Sequence, residues 1–171
     1  AADRSSRKSD RADTGLATSL NQETPDAWVL PLKDYQFTSP YGVHLGKLHS
    51  GIDLTAPEGT EYRAVHGGVV KVASWWGGFG NTVVIDHGNG TETIYAHSSR
   101  VLVKVGQTVN SGDVIGQVGN TGYSYGAHLH LEMHVNGTSV DPIPWLRAHG
   151  VDIQLNIESL EIEPLESLAE D

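Results

Sequence analysis

Gly126-Ala127-His128-Leu129-His130-Leu131-Glu132-Met133 sets two histidines two residues apart inside an apolar run. Read as a strand, the run sends successive side chains to opposite faces. Leu129, Leu131, Met133 and Val135 then face a core, while His128, His130, Glu132 and His134 face outward together. Two imidazoles on one wall either share a metal ion or divide the work, one ring as a ligand and the other as an acid or base beside it. The remaining parts must come from elsewhere in the chain.

Outward from this stretch, short apolar-rich runs alternate with glycine turns, which predicts an antiparallel sandwich or barrel and not alternating strands and helices. Strands are expected at 28–32, 35–38, 51–54, 61–64, 68–74, 81–86, 91–97, 113–118 and 128–135. The clearest turns are Gly77-Gly78-Phe79-Gly80 and His87-Gly88-Asn89-Gly90, since glycine supplies the positive φ of tight hairpins. A helix is expected only at 142–148.

The 171 residues, 38% hydrophobic and with 20 glycines, suit one compact domain with polar ends. Residues 1–26 are polar and aperiodic and read as a flexible leader or tether. The domain is expected over 27–149, and an acidic tail over 150–171. Residues 151–171 carry seven acids and no base, so most of the net charge of −10 sits there and the body is nearly neutral. The tail reads as solvated or loosely docked, or as a segment that binds a protein partner. This charge balance excludes the clustered basic surface of a nucleic-acid binder. The absence of cysteine excludes disulfides, thiolate ligands and a Cys nucleophile. No apolar run approaches the roughly 20 residues of a membrane span, and no signal or anchor is read in this chain.

Two further clusters supply chemistry. In His49-Ser50-Gly51-Ile52-Asp53, Gly51 and the Ile-Asp-Leu-Thr continuation favour a loop entering a strand, with Ile52 and Leu54 inward and Asp53 toward a cleft. Catalytic zinc usually takes three protein side chains and leaves a fourth position for water, so His49, Asp53 and one histidine of the first strand make a ligand set. In Thr93-Ile94-Tyr95-Ala96-His97, alternation puts Tyr95 and His97 on one face at the end of a strand.

Together, His49-x-x-x-Asp53, Tyr95-Ala96-His97 and His128-Leu129-His130 resemble the three signature motifs of the lysostaphin-type peptidoglycan metalloendopeptidases. Ser39-Pro40-Tyr41-Gly42, Gly80-Asn81, Ile85-Asp86-His87-Gly88-Asn89-Gly90 and Val105-Gly106-Gln107-Thr108-Val109 match in order as well, so the likeness spans about 35–145. It implies a mainly β, small antiparallel sheet fold with a groove, one zinc ion per chain held by His49, Asp53 and His130, and His97 and His128 as non-ligand catalytic histidines. It also implies an enzyme that works outside the cytoplasm and hydrolyses peptide bonds in peptidoglycan cross-bridges or stem peptides. None of the nine histidines is followed by Glu, which disfavours a His-Glu-x-x-His mechanism with a glutamate base. Ala127 stands where many relatives have Pro, and Tyr123 and Tyr125 flank Ser124. These departures leave the metal chemistry intact and the groove specificity open.

Other features have plainer readings. His44, His66, His87, His134 and His149 read as exposed or turn residues, and Glu132 as either a partner for the outer nitrogen of a ligand ring or a surface glutamate. Trp75 and Trp76 read as groove or core residues, and Tyr95 as orienting substrate or lining the groove. The segment 103–116 is similar to the hairpin of lipoyl and biotinyl carriers, but Gly119-Asn120-Thr121-Gly122 has no lysine to receive a cofactor. A non-catalytic wall-binding or hydrolase-activating module on the same fold is the alternative, disfavoured because all five key residues are present.

Overall fold

The computed structural model describes residues 27–158. Thirteen strands are formed among these residues: β1 (Gln36–Ser39), β2 (Gly42–His44), β3 (Lys47–His49), β4 (Ile52–Thr55), β5 (Glu61–Arg63), β6 (Gly68–Trp75), β7 (Asn81–Gly88), β8 (Thr91–Ser98), β9 (Arg100–Val101), β10 (Thr108–Val109), β11 (Val114–Gln117), β12 (His128–Val135) and β13 (Thr138–Val140). One short helix follows, α1 (Pro142–Arg147). Its start is set by Asp141, whose carboxylate accepts from the Ile143 N–H at 3.0 Å, with Pro142 in the first turn.

The expected mainly antiparallel architecture is present. The large sheet runs β1-β4-β12-β8-β7-β6-β10, and β13 continues beside β12 beyond the end of β4. A smaller sheet, β5-β11-β9, contributes to the same core. Leu129, Leu131 and Met133 are fully buried there with Ile52, Leu54, Tyr62 and Ile115. Each such side chain contributes about 1.5–3 kcal/mol by leaving water. β12 is an interior strand of this sheet: its apolar face anchors the core, and its other face is the floor on which a site can be built.

Three expectations change. The stretch 28–32 is no strand, because Pro31 lacks a donor; it lies as a buried extended segment, with Val29 N–H donating to the Val65 carbonyl and Arg63 N–H to the Pro31 carbonyl, both at 2.8 Å. Residues 42–49 form an unforeseen hairpin, β2–β3, whose turn residues Leu45 and Gly46 both have positive φ (52° and 79°). The boundary expected at 150 falls inside packed structure. Val151 and Ile153 are buried, Tyr35 donates its hydroxyl to the Ile153 carbonyl at 2.6 Å, and Glu158 accepts from Leu30 N–H at 3.0 Å. The apolar alternation there serves this docking: Asp152 and Ile157 bond each other's backbone around a turn that leaves Leu155 exposed. The leader 1–26 and the acidic stretch after Glu158 lie outside the described residues. Among the described residues no helix is long and apolar enough to cross a membrane.

Behind the large sheet, His87 is held between the Gly67 carbonyl at 2.7 Å and the Thr93 hydroxyl at 2.8 Å, near Trp28 and His66. Burial pushes its pKa down to about 4, so the ring is neutral when folded, whereas an unfolded histidine titrates near 6.5. Between these values the unfolded chain binds more protons, and stability falls as pH drops from about 6.5 to about 4. Denaturant unfolding of the metal-free protein at pH 7 and pH 4 should show a loss of about 3 kcal/mol from this group. The loss should be absent in His87→Gln; equal slopes in the two proteins would remove the assignment.

Candidate functional site

From the end of β3 the chain crosses close over β12 before entering β4, and Gly51 permits the crossing. A Cβ there would lie 2.4 Å from the Leu131 carbonyl oxygen and 2.8 Å from Glu132 Cγ. The crossing carries His49 over β12, while β4 pairs Asp53 directly with His130. Ile52 and Leu54 point to the core and Asp53 to the cleft, as their alternation predicts. Ligand atoms of His49, Asp53 and His130 all lie within 4.8 Å of one another. His49 Nε2 is 3.4 Å from Asp53 Oδ2, and His130 Nδ1 is 2.8 Å from Asp53 Oδ1. The far nitrogen of each ring is engaged: His49 Nδ1 donates to the Pro40 carbonyl at 2.7 Å, and His130 Nε2 to Glu132 Oε2 at 2.8 Å. Such outer bonds decide which nitrogen a metal meets. The three groups form a cluster suited to a divalent metal ion.

Glu132 does more than a surface glutamate would. It is 2% exposed and also accepts from the Ser50 hydroxyl at 2.6 Å and from His134 Nε2 at 2.7 Å. His134, read from sequence as unconnected to the site, thus takes part in holding the carboxylate that holds His130. The face expected to point outward is here covered, and His130 is only 6% exposed. Burial disfavours charge on its ring, but hydrogen bonds to Asp53 and Glu132 outweigh burial and raise its pKa to about 9. Burial likewise opposes charge on Asp53 and Glu132, and in both the hydrogen bond from His130 prevails and lowers the pKa. A divalent ion bound to the cluster would displace the Nδ1 proton.

His97 and His128 face the same cleft, their ring centroids 4.9 Å apart. His97 Nδ1 donates to the Thr121 carbonyl at 2.7 Å and His128 Nδ1 to the Gly126 carbonyl at 2.7 Å, so each presents Nε2 to the cleft. Burial, with His128 and His130 nearby, lowers the His97 pKa in spite of its bond to Thr121. The expectation that Tyr95 shares a face with His97 is not met. His97 has a φ of 62°, and β8 places three residue steps against two of β7 there, a bulge that turns the ring out of the alternation. Tyr95 instead stays in the core, stacked on Tyr62 and accepting from Val65 N–H at 2.9 Å. Thr121, which sequence reading passed over, fixes this corner: its hydroxyl donates to the Ser98 carbonyl at 2.8 Å and accepts from Asn81 N–H at 3.1 Å.

The cleft above the cluster has a volume of about 530 Å³, with Leu48, Phe79, Tyr123 and Tyr125 among its walls. Trp75 and Trp76 do not line it; both are solvent-exposed, and Trp76 packs on Phe79 with ring centroids 5.7 Å apart. Sequence reading missed Phe79, whose ring lies 5.8 Å from that of His130.

A family profile described as Peptidase family M23 matches residues 47–142. The chain is 45% identical over 121 residues to the DD-carboxypeptidase/endopeptidase Mpg of Neisseria meningitidis, covering 67% of this chain and 28% of Mpg. It therefore spans little more than a quarter of that relative. The structure of the catalytic domain of lysostaphin from Staphylococcus simulans superposes with a TM-score of 0.58 at 35% identity, covering 66% of this chain and 90% of that one. A zinc-containing peptidase from Vibrio cholerae superposes with a TM-score of 0.65 at 34% identity, covering 68% of this chain and 39% of that one.

Proposed function

The chain belongs to peptidase family M23, and we propose on that basis that it is a zinc-dependent endopeptidase acting on peptide bonds of bacterial peptidoglycan. The observation that carries this reading is the convergence on one cleft of a His/Asp/His cluster suited to a metal and two imidazoles that turn Nε2 into it. In this reading His49, Asp53 and His130 hold one zinc ion. Two imidazole nitrogens and one carboxylate would suit zinc better than calcium or magnesium, which take all-oxygen sites. When bound, zinc polarises the scissile carbonyl and lowers the pKa of its water.

The remaining steps fall to the protein. His128 and His97 lie beside each other in the cleft, each with Nδ1 donating to a carbonyl and Nε2 turned to the cleft. One would take a proton from the attacking water at its Nε2 and then deliver that same proton to the leaving amine, so the proton count closes. The catalytic unit in this reading begins near residue 27 and includes the docked stretch to Glu158. Residues 1–26 act as a tether, and the acidic segment after Glu158 as a solvated tail or a partner site. The substrate class places the protein outside the cytoplasm.

Purified peptidoglycan incubated with the zinc-loaded protein should release new amino termini, and a chelator should abolish the release. A folded, zinc-loaded sample that releases none from walls of diverse cross-link chemistry would overturn the enzyme reading in favour of a wall-binding module.

A further inference from the structure

The two acid–base histidines of the proposed mechanism come from different strands, yet one connection orients both. His97 lies near the end of β8 and His128 opens β12. The stretch 118–127 between β11 and β12 supplies the acceptor for each ring, the Thr121 carbonyl for His97 and the Gly126 carbonyl for His128, both at 2.7 Å.

The first half of this connection is pinned many times over. Gly119 passes so close to β8 that a Cβ there would lie 2.2 Å from Ser99 N, and a Cβ on Gly122 would lie 2.4 Å from the Gly78 carbonyl oxygen. Thr121 donates its hydroxyl to the Ser98 carbonyl, and Tyr123 N–H donates to the Gly78 carbonyl, both at 2.8 Å. The second half is held differently. From Ser124 to Gly126 the main chain makes no hydrogen bond to other main chain among the described residues, and a Cβ on Gly126 would meet nothing within 4 Å. The side chains that reach the Gly126 carbonyl are those of Ser124, at 3.0 Å, and of His128 itself.

Ser124 Oγ also lies 3.3 Å from His128 Nδ1, and it donates to Asn120 Oδ1. A hydroxyl has one proton and two lone pairs. With the proton given to Asn120, a lone pair is left for Nδ1. The Gly126 carbonyl can only accept, so Nδ1 carries the hydrogen, shared between the carbonyl and the more distant Ser124 oxygen. Asn120 directly precedes Thr121, and the hydroxyl therefore ties the sparsely held half of the connection to the pinned half.

We propose that Ser124, braced by Asn120, is a positioning residue: it extends the fixed placement of the Thr121 corner to the Gly126 carbonyl, so that the His97 and His128 rings, 4.9 Å apart, act on the cut bond as one rigid pair. Its catalytic consequence rests on the endopeptidase reading above. Ser124 also lines the cleft, and kinetics separate positioning from substrate contact: loss of uniform substrate binding raises KM, whereas loss of a well-placed acid–base group lowers kcat.

The test compares zinc-loaded wild type with Ser124→Ala, Ser124→Thr, Asn120→Ala and the Asn120→Ala/Ser124→Ala double variant on soluble cross-linked muropeptides. Metal content and circular dichroism are read on the same preparations. Ser124→Ala should keep its zinc and lose about tenfold in kcat at unchanged KM, the size of one good hydrogen bond. Ser124→Thr keeps the hydroxyl and should restore the rate. The double variant should lose no more than Ser124→Ala, because Asn120 acts through that hydroxyl. Nitrogen-15 spectra of the histidine rings should show the His128 Nδ1 signal moved in Ser124→Ala and in Asn120→Ala, with that of His49 in place. Asn120 is exposed, so its variant tests the brace even where Ser124→Ala fails to fold. A wild-type kcat in Ser124→Ala, a loss confined to KM, no rescue by threonine, or an unmoved His128 signal would overturn the proposal. A folded, zinc-loaded wild type that cuts no wall peptide overturns the endopeptidase reading instead, and the His128 signal still decides whether Ser124 holds the ring.

Discussion

His130→Ala is expected to leave the purified protein without bound metal and without measurable hydrolysis of wall peptides. The ring is the one group that joins the two carboxylates of the site, 2.8 Å from Asp53 on one nitrogen and 2.8 Å from Glu132 on the other. Its removal deletes one of the three proposed ligands and also the neighbour that fixes the Asp53 carboxylate. Two ligands, His49 and Asp53, remain, short of the three protein ligands a catalytic zinc site normally uses. Glu132 keeps its bonds from Ser50 and His134, so the fold has a means to survive the change. Metal content after dialysis, read beside circular dichroism, checks the outcome: a folded variant with about one zinc per chain would remove His130 from the ligand set.

The second large effect separates the two histidines of β12. His128→Ala is expected to retain zinc and to lose kcat by about 10²–10⁴-fold, the usual contribution of a positioned acid or base. His128 Nε2 lies 3.6 Å from Asp53 Oδ1, and its other nitrogen is tied to the Gly126 carbonyl. It thus borders the cluster without completing it. Single-turnover rates and metal analysis on the same preparation decide the matter. Zinc lost equally from His128→Ala and His130→Ala would overturn the division of roles.

Much of this site is written into local sequence, because strand alternation is a local property. Leu129, Leu131 and Met133 are buried on one face of β12, and His128, His130, Glu132 and His134 share the other. Ile52 and Leu54 likewise flank a cleft-facing Asp53. The same rule misplaced Tyr95 relative to His97, since a bulge is set by the pairing of β8 with β7 and leaves no period in the chain itself. The tail reads from sequence as solvated or loosely docked, and the composition does not choose between the two over 151–158; the presence of Leu30 N–H and Arg63 beside Glu158 gives that carboxylate its place.

Sequence alone determined the β architecture, the apolar face of β12, and the residue types able to hold a metal, because these follow from period-two patterning and side-chain chemistry. Tertiary structure decided which nitrogen of each ring meets the cluster and that Glu132 and His134 stand behind His130. It also decided that Thr121 and Gly126 orient the two remaining histidines. The contacts of His97 with Thr121 and of His130 with Asp53 depend on groups brought from distant parts of the chain. Thr121 lies 24 residues from His97, and Asp53 lies 77 from His130. A hydrogen bond across such a span is specified by folding, which no local pattern records.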